Sequence, residues 1–496
     1  MTQTAGKPRP IMLALIAVVV IGAGLRVYRL GSESLWLDEA YSIFAAHLPA
    51  PDIVPEISRD VHPPLYYYLL HFWMMPFGDS EFAARMLSVV FGVIAIVMVY
   101  RIGSVLFDRR TGLCAAVLMA ASHFNIEYSQ EARMYELLTL LAAISFWFFL
   151  KFLKRDSSVP ILVAYILSTS LLTYTQVYSL FVVVAENLFF GLLVFSSREL
   201  FFKKLGRWCL SQVTIGVLFL PWFLVLRKQI AAHKSFWIHP PTMAELAYAW
   251  RQLAGSHALF LLLAPLAALP IIWVALTARS KARSTDIAGR ADQLPLSDGE
   301  RVVFLVLWLI CPVLLPFAAS HFVTPFFLAK YTICASVAFV LLAARGLTIL
   351  PWRSVSIGLF AVFVLLASLD MRRYWTTPRK DRWREAVAFF NVKAQPGDLV
   401  VFTEYAGRLP FEYYSRHRDL PEEGLSVYND EFNEKTVGQV LKPVVSDHDR
   451  VWLVLSHQVD LCKVVIRQMS VWYDIVEHHQ EAGVELYLYQ KRKYGM

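Results

Sequence analysis

Long apolar segments separated by short polar ones make up most of this chain. Most of the segments approach or exceed the roughly 20 residues that a helix needs to cross the hydrocarbon core of a bilayer. We count eleven of them, at about residues 11–30, 84–106, 111–127, 134–153, 159–173, 177–195, 208–226, 257–277, 302–319, 330–349 and 353–371. The pattern predicts a multi-pass α-helical membrane protein with about 11 transmembrane helices, the first of them a retained anchor rather than a signal peptide.

The composition supports this fold class and excludes several others. Hydrophobic residues make up 57% of the chain and charged residues 17%, against about 45–50% and about 25% in soluble proteins. The five cysteines form no paired framework, so a disulfide scaffold is excluded. The net charge of +8 does not indicate a nucleic-acid partner, because the basic residues are scattered between apolar segments and do not form one basic surface.

The distribution of Lys and Arg predicts the orientation of the chain. With the N-terminus in the cytosol, the cytosolic loops hold roughly twice as many basic residues as the opposite loops, in agreement with the positive-inside rule. An odd number of spans then places the C-terminal tail outside. We therefore expect a multi-pass protein of the cell's inner (plasma) membrane with a cytoplasmic N-terminus and a periplasmic or extracytoplasmic C-terminal domain.

The two segments expected outside the membrane differ from the cytosolic loops. The first outer loop, residues 31–83, mixes aromatic and polar residues, as is typical of helices lying in the membrane interface. The tail alternates a helical pattern at 383–390 with β-rich runs at 399–402 and 451–455, the first run preceded by a Pro-Gly-Asp turn. The sequence thus predicts a transmembrane catalytic module at 1–371 and an extracytoplasmic α/β domain at 372–496.

The first outer loop begins with two adjacent carboxylates, Asp38 and Glu39. A carboxylate just past the outer end of the first span would meet both lipid and water, and it is placed to act as a general base. The structural alternative is that Asp38 caps an interfacial helix, since acids suit a helix start. The residues alone leave both interpretations open.

His62 lies further along the same loop, directly before Pro63 and Pro64. The prolines disfavour a helix immediately before them, so His62 is expected at a rigid corner. A lone histidine is often structural, but one that faces the same water as Asp38 is also a candidate for function.

Charges also stand between the third and fourth predicted spans, where Glu131 and Arg133 follow Glu127. Such charges are costly unless they pair with each other or serve a site. An ion pair of Arg133 with either glutamate, closing a tight hairpin, is the structural alternative.

Two more cations stand at the outer ends of predicted spans. Lys330, followed by Tyr331, lies at the mouth of the tenth span, and Arg85 opens the second. Either side chain is a candidate for anion binding, or it extends along apolar surface towards the interface.

Taken together, these residues resemble family 39 of the C-type (GT-C) glycosyltransferases, which includes protein O-mannosyltransferases and lipid A aminoarabinose transferases. The similar motifs are, in chain order, Asp38-Glu39, His62-Pro63-Pro64-Leu65, Arg85, Ser129-Gln130-Glu131-Ala132-Arg133, Trp383-Arg384-Glu385-Ala386 and Phe411-Glu412-Tyr413-Tyr414. The chain departs from the family at Lys330-Tyr331, where many relatives have Arg-Tyr.

The resemblance implies a GT-C fold and an inverting transfer on the outer face of the membrane. The implied donor is a sugar joined through phosphate to a polyprenyl lipid, and the implied acceptor is a hydroxyl of a lipid such as lipid A, a glycan or a protein. No cofactor and no metal are expected, because this family lacks the Asp-x-Asp metal motif.

The resemblance also implies roles for the candidate residues. Asp38 would accept the proton of the acceptor hydroxyl, and Glu39 would orient the acceptor or the sugar. The residues expected to bind the substrates are His62, Arg85, Glu131, Arg133, Lys330 and Tyr331. Cations are needed among them because the leaving group is a lipid phosphate, and a guanidinium suits phosphate geometry better than an ammonium does.

Two other classes of function stay open at this point. A transporter or flippase of a lipid-linked sugar would also have many spans and buried charges, although transport sites cluster at mid-membrane. A non-catalytic scaffold with a partner-binding outer domain would tolerate substitution of the acidic pair.

Overall fold

A computed structural model describes residues 9–60, 62–196, 198–232, 238–278, 294–425, 436–456 and 460–492. The helices are, in chain order, α1 (Arg9–Val27), α2 (Leu37–His47), α3 (Ala50–Ile57), α4 (Leu65–Phe77), α5 (Glu81–Leu106), α6 (Arg109–Ala120), α7 (His123–Ser129), α8 (Tyr135–Leu153), α9 (Val159–Thr173), α10 (Ser179–Ser196), α11 (Arg198–Phe202), α12 (Leu205–Ala232), α13 (Met243–Gln252), α14 (His257–Ala278), α15 (Asp298–Ala319), α16 (Ser336–Ile349), α17 (Arg353–Thr376), α18 (Trp383–Lys393), α19 (Arg408–Tyr414), α20 (Val437–Val445) and α21 (Asp460–Trp472). The strands are β1 (Leu399–Phe402), β2 (Glu422–Gly424), β3 (Arg450–Ser456), β4 (Tyr473–Glu481) and β5 (Val484–Lys491).

Nine helices in the described part of the chain are long and apolar enough to cross a membrane. They are α1, α5, α8, α10, α12, α14, α15, α17 and the segment Ala329–Ile349, in which a 3-10 turn leads into α16. Apolar side chains of α1 and α17, such as Val20 and Leu365, are exposed, as expected of helices that face lipid. The predicted multi-pass helical fold is confirmed.

Two of the eleven predicted spans form shorter helices. The segment predicted at 159–173 is α9, with 15 residues. The segment predicted at 111–127 is not one helix, because α6 ends at Ala120 and α7 begins at His123. The prediction extended past this break because Phe124 and Ile126 continue the apolar pattern among the polar residues of α7.

A buried arginine explains how the chain breaks between α6 and α7. The last carbonyls of a helix have no donor within the helix, and an apolar environment makes such groups costly. Arg26, at the end of α1, is fully buried and donates from Nη1 to the carbonyl of Ala120 at 3.0 Å and from Nη2 to that of Met119 at 3.2 Å. Its Nε donates to Ser129 Oγ in α7 at 3.0 Å. One guanidinium therefore supplies donors to both sides of the break.

A glycine on α5 makes room for these polar groups. A Cβ atom added at Gly92 would lie 2.4 Å from Ser129 Oγ, 3.0 Å from Arg26 Nε and 3.2 Å from Glu136 Oε2. The first distance is too short for any side chain to be accommodated without moving the hydroxyl. Gly92 thus allows α5 to pack directly against the polar cluster, as small residues do between membrane helices.

A second cation satisfies the end of α8 in a similar way. The buried ammonium of Lys204 donates to the carbonyl of Phe152 at 2.7 Å and to Ser157 Oγ at 2.8 Å, and it also donates to the carbonyl of Lys154. Burial lowers the pKa of Lys204 to about 8. This residue, which contributes to the orientation signal, also holds the loop after α8.

The contacts divide the chain into two compact units. The first comprises Met1–Leu30 and Leu48–Thr376, and the second comprises Gly31–His47 and Thr377–Met496. The start of the predicted outer loop, including α2, therefore belongs with the C-terminal part of the chain. Within this second unit, the main-chain N–H of Leu35 donates to the Tyr414 hydroxyl at 2.8 Å, and the Ser34 hydroxyl donates to Glu385 at 3.1 Å.

The second unit is built on a five-stranded sheet of order β2-β1-β3-β5-β4. β1 is parallel to β2 and β3, whereas β5 is antiparallel to β3 and β4. Alternate residues of β1 and β3 bury their side chains on opposite faces. Val400 and Trp452 pack towards α18 on one face, and Val401 and Leu453 pack towards α20 and α21 on the other. The helix predicted at 383–390 and the strands predicted at 399–402 and 451–455 are confirmed.

The role of Arg26 leads to a prediction about stability. Replacing Arg26 with Leu removes the guanidinium donors to the carbonyls of Ala120 and Met119 and to Ser129 Oγ, and a buried polar group that is left unsatisfied costs about 1–3 kcal/mol. We expect a clearly lower unfolding temperature of the detergent-purified protein. Arg372→Leu, which removes an exposed arginine of another membrane helix, is the matched control. Equal unfolding temperatures for the two variants would contradict the role given to Arg26.

Candidate functional site

The acidic pair lies in the first turn of α2. Glu39 is completely buried and Asp38 is partly buried. Asp38 is not the N-cap, because the N–H of Ala40 donates to the carbonyl of Trp36, so the helix begins at Leu37. Both carboxylates still lie where the positive end of the helix dipole stabilises negative charge. Asp38 therefore occupies a first-turn position instead of the N-cap position that the sequence left open.

Glu39 is paired with a cation that sequence reasoning missed. Lys380 Nζ lies 2.9 Å from Glu39 Oε2, and both side chains are largely shielded from solvent. A buried carboxylate needs such a partner, because an isolated buried charge is strongly destabilising. Lys380 lies in a basic stretch just before α18, and no feature of that stretch distinguished it from its neighbours.

A second group of candidates, in the first unit, surrounds Lys330. Lys330 lies in the 3-10 turn before α16, and its Nζ is 5.6 Å from the centroid of the Tyr135 ring and 5.8 Å from that of the Tyr331 ring. These distances fall in the range of cation–π attraction. Tyr135 and Tyr331 are buried. The partly buried ammonium of Lys330 therefore lies against two buried aromatic rings.

His62 joins the same group. Its buried ring meets that of Tyr331 edge to face, with centroids 5.8 Å apart. After the two prolines α4 begins at Leu65, whose main-chain N–H donates to the carbonyl of Tyr174 at 3.0 Å. The rigid corner expected from the sequence thus places His62 beside Tyr331, which also contacts Lys330.

Glu131 and Arg133 lie in the turn between α7 and α8, and both are buried. The main-chain N–H of Arg133 donates to the carbonyl of Glu131 at 2.8 Å, and Nη1 of Arg133 donates to the Tyr67 hydroxyl at 3.4 Å. The start of the turn is also fixed, since Gln130 Nε2 donates to the carbonyls of Arg26 and Tyr28 at 2.8 and 2.9 Å. The arginine that bridges the helix break therefore also supports the turn that carries Arg133.

Arg85 has a contact of a different kind. Its side chain is buried in α5, and Nη1 donates to the carbonyl of Leu30 at 2.9 Å. This bond ties α5 to the main chain just after α1. A structural role in holding that segment is therefore part of what Arg85 does.

Tyr178 holds the segment that leads to Lys330, and sequence reasoning missed it as well. Its hydroxyl donates to the carbonyl of Phe326 at 3.3 Å and accepts from the N–H of Leu328 at 3.2 Å. Its ring lies edge to face with that of Tyr331, at 5.3 Å between centroids. The residue directly precedes an apolar helix, and its hydroxyl gave no signal in the hydropathy pattern.

The described residues of the first unit offer cations rather than metal ligands. Among the residues that the structure describes, no three His, Cys, Asp or Glu side chains lie close enough to hold a metal ion. An Asp-x-Asp spacing does occur at Asp447 and Asp449, in the second unit. Lys330, Arg133 and a protonated His62 are groups of the kind that bind phosphate.

Comparisons with known proteins found others that are similar to this chain. Residues 61–224 match a family model described as dolichyl-phosphate-mannose-protein mannosyltransferase. The crystal structure of apo ArnT from Cupriavidus metallidurans is similar with a TM-score of 0.64 at 14% identity, over 96% of this chain and 97% of ArnT. ArnT bound to undecaprenyl phosphate gives a TM-score of 0.61 at 13% identity, over 97% of this chain and 98% of ArnT.

A more distant similarity extends over nearly the whole chain. The oligosaccharyltransferase AglB from Archaeoglobus fulgidus, in complex with an inhibitory peptide and a dolichol-phosphate, has a TM-score of 0.55 at 12% identity, over 99% of this chain and 75% of AglB. No curated protein matches the chain by sequence. The predicted GT-C fold is confirmed by these structural similarities.

The contacts of Tyr178 predict a local effect of removing its hydroxyl. In Tyr178→Phe the ring packing is kept, while the two hydrogen bonds to the main chain of Phe326 and Leu328 are lost. Since each bond contributes about 0.5–1.5 kcal/mol, amide exchange around residues 326–331 should become about tenfold faster. Hydrogen-exchange mass spectrometry of the purified protein measures this.

Tyr174→Phe is the matched control for that experiment, because the Tyr174 hydroxyl donates to the carbonyl of Leu218, away from this segment. Unchanged exchange at 326–331 in Tyr178→Phe, or an equal change in both variants, would contradict the positioning role.

Proposed function

We propose that this protein is an inverting glycosyltransferase that moves a sugar from a polyprenyl-phosphate-sugar donor to a hydroxyl of an envelope acceptor. The observation that carries the proposal is the cationic group inside the first unit, where Lys330 is held over Tyr135 and Tyr331 and His62 packs beside Tyr331. A partly buried cation beside aromatic rings suits the anionic phosphate that joins the sugar to its lipid.

Proteins with the same fold support the choice of donor. One of the ArnT structures that are similar to this chain is bound to undecaprenyl phosphate, and the similar AglB structure is in complex with a dolichol-phosphate. The family model that matches 61–224 is named for a dolichyl-phosphate-mannose donor. A lipid of this class is therefore the donor that we propose, with the reaction on the outer face of the membrane.

The chemistry explains why a base and cations suffice. Displacement of a lipid phosphate from C1 of the sugar passes through an oxocarbenium-like transition state and releases a stable anion. A general acid is therefore less necessary than a base for the acceptor hydroxyl and positive charge for the departing phosphate. The nucleophile is the acceptor oxygen, the bond from C1 to the phosphate oxygen breaks, and the hydroxyl proton goes to the base.

We assign the base to Asp38. Its carboxylate lies in the first turn of α2 and is partly exposed, so that a substrate can reach it. Glu39 is buried against Lys380, and we propose that this ion pair holds the first turn of α2 in place and orients Asp38. The role proposed for Glu39 is thus indirect, through the position of its neighbour.

We assign phosphate binding to Lys330 and Arg133, assisted by His62 when it is protonated. Tyr331 positions both Lys330 and His62 through its ring, and Glu131 orients Arg133 within the turn or binds a sugar hydroxyl. These assignments give each cation a supporting contact in the first unit.

One buried carboxylate bears on the alternative of transport. Glu186 lies near the middle of α10, and transport sites lie near the middle of the membrane. However, Oε1 accepts from Ser145 at 2.8 Å and Oε2 accepts from Tyr165 at 2.7 Å. Both oxygens therefore join helices to one another, which favours a packing role over solute binding.

The role of Asp38 predicts a selective loss of turnover. Asp38→Asn keeps the shape of the side chain but removes the base, so transfer should fall by about 10²–10⁴-fold while donor binding is unchanged. The measurement is release of polyprenyl phosphate by the purified enzyme, with undecaprenyl-phosphate sugars as donors and envelope extract as the source of acceptor.

Asp52→Asn, at an exposed acid of α3, is the control and should behave as the wild type. Near-normal release by Asp38→Asn would remove the residue from this role. Transport of the donor without any release would favour a flippase instead.

The role of Arg133 predicts weaker binding of the lipid phosphate itself. Arg133→Ala removes charge-assisted hydrogen bonds of about 1.5–3 kcal/mol, so the affinity for undecaprenyl phosphate should fall by about 10–100-fold. Arg133→Lys keeps the charge but not the guanidinium geometry and should give an intermediate affinity. Arg59→Ala, at an exposed arginine paired with Glu56, is the control. Wild-type affinity in Arg133→Ala would exclude the phosphate role.

A further inference from the structure

A groove in the second unit lies between α20 and α21, outside every residue that the proposed function uses. Its cavity has a volume of about 660 Å³, within the range of about 300–1,000 Å³ that is typical of small-molecule sites. The side chains of Gln439 and Lys442 line it from α20, and those of Gln468 and Trp472 line it from α21.

Trp472 supplies an aromatic surface in the groove. Its ring packs partly against the hydrophobic core beneath the sheet, and it also lines the cavity. The main-chain carbonyl of Trp472 accepts from the N–H of Arg492. One part of the indole therefore packs in the core and another part lines the cavity. This arrangement suits contact with a flat, partly apolar ligand.

The polar groups around this wall are available to a ligand. Within the described ranges, the side chains of Gln439, Lys442 and Gln468 and the indole N–H of Trp472 take part in no hydrogen bond or ion pair of the chain. A carboxamide both donates and accepts, whereas an ammonium and an indole N–H only donate. The groove thus offers several donors and two acceptors, with no acidic side chain among its lining residues.

The walls of the groove are fixed by neighbouring contacts. Tyr473 directly follows α21, and its hydroxyl lies within hydrogen-bond distance of the main-chain carbonyls of Val445, at the end of α20, and His448, just after it. Gly438 lies opposite Gln468, and a Cβ atom at 438 would lie 3.1 Å from Gln468 Nε2. The absence of a side chain there leaves the carboxamide of Gln468 its space. A groove that is formed before binding costs little ordering on association.

We propose that this groove binds a short oligosaccharide of neutral or anionic sugars. A pyranose ring presents a face of C–H groups that fits against an indole, and its hydroxyls both donate and accept, as the two carboxamides do. Among the lining residues Lys442 is the one cation and none is acidic, so that they suit sugar hydroxyls better than a phosphate or a metal ion. The proposal goes beyond the transferase function and does not depend on it.

Binding of defined oligosaccharides to the full-length protein in lipid nanodiscs tests the proposal, because nanodiscs avoid detergents with sugar head groups. The probes are maltotriose, mannotriose, triacetylchitotriose and 3′-sialyllactose, each titrated to about 10 mM, above the Kd of weak specific binders. We expect at least one probe to bind. Trp472→Ala should weaken that binding about tenfold or more, as expected for a central aromatic contact.

Gln468→Leu decides the outcome if Trp472→Ala does not fold, since it removes only the carboxamide. Val392→Ala, at an exposed apolar residue of α18, is the matched control and should bind as the wild type. Asp38→Asn should also bind the oligosaccharide normally, so that loss of transfer and loss of groove binding are measured separately. Failure of all four probes, or wild-type affinity in the folded groove variants, overturns the proposal.

Discussion

The need to satisfy main-chain groups inside an apolar environment governs the first unit, and Arg26 meets it at the break between α6 and α7. Its guanidinium donates to the end of α6 and to Ser129 in α7. The carbonyl of the same residue accepts from Gln130. Buried main-chain groups in an apolar environment need such donors, and a guanidinium supplies several of them in a fixed geometry. The turn with Glu131 and Arg133 follows directly, so Arg26 is one of the residues that fix its position.

The cationic group of the first unit is held by rings as much as by charges. The Tyr331 ring contacts the rings of His62 and Tyr178. The Lys330 ammonium lies within cation–π distance of both the Tyr331 and the Tyr135 rings. Aromatic faces attract a cation. The buried rings of Tyr135 and Tyr331 therefore help to fix the position of the Lys330 ammonium within the first unit.

The acids and the cations belong to different units, and each set is supported within its own. Asp38 and Glu39 stand on a helix that packs against α19 and is tied to Lys380, whereas Lys330, Arg133 and His62 are supported by membrane helices and their connecting turns. The two adjacent carboxylates thus have different environments, because Asp38 is partly exposed and Glu39 is fully buried beside Lys380. Such a difference lets one acid take part in chemistry while its neighbour maintains the structure.

The sequence by itself determined the multi-pass helical fold, most of the membrane helices, and the α18, β1 and β3 elements of the C-terminal part. Long apolar runs report which segments leave water, whether they face lipid or protein, and the periodicity of apolar residues distinguishes helix from strand. It also named Lys330, Tyr331 and His62 as candidates, which the structure places in contact. Only the tertiary structure decided that α6 and α7 are separate helices, that α2 belongs with the C-terminal unit, and that Lys380 and Tyr178 support the candidate residues. The physical reason is the same in each case: these features depend on donors and acceptors brought from distant parts of the chain, and local hydropathy carries no information about them.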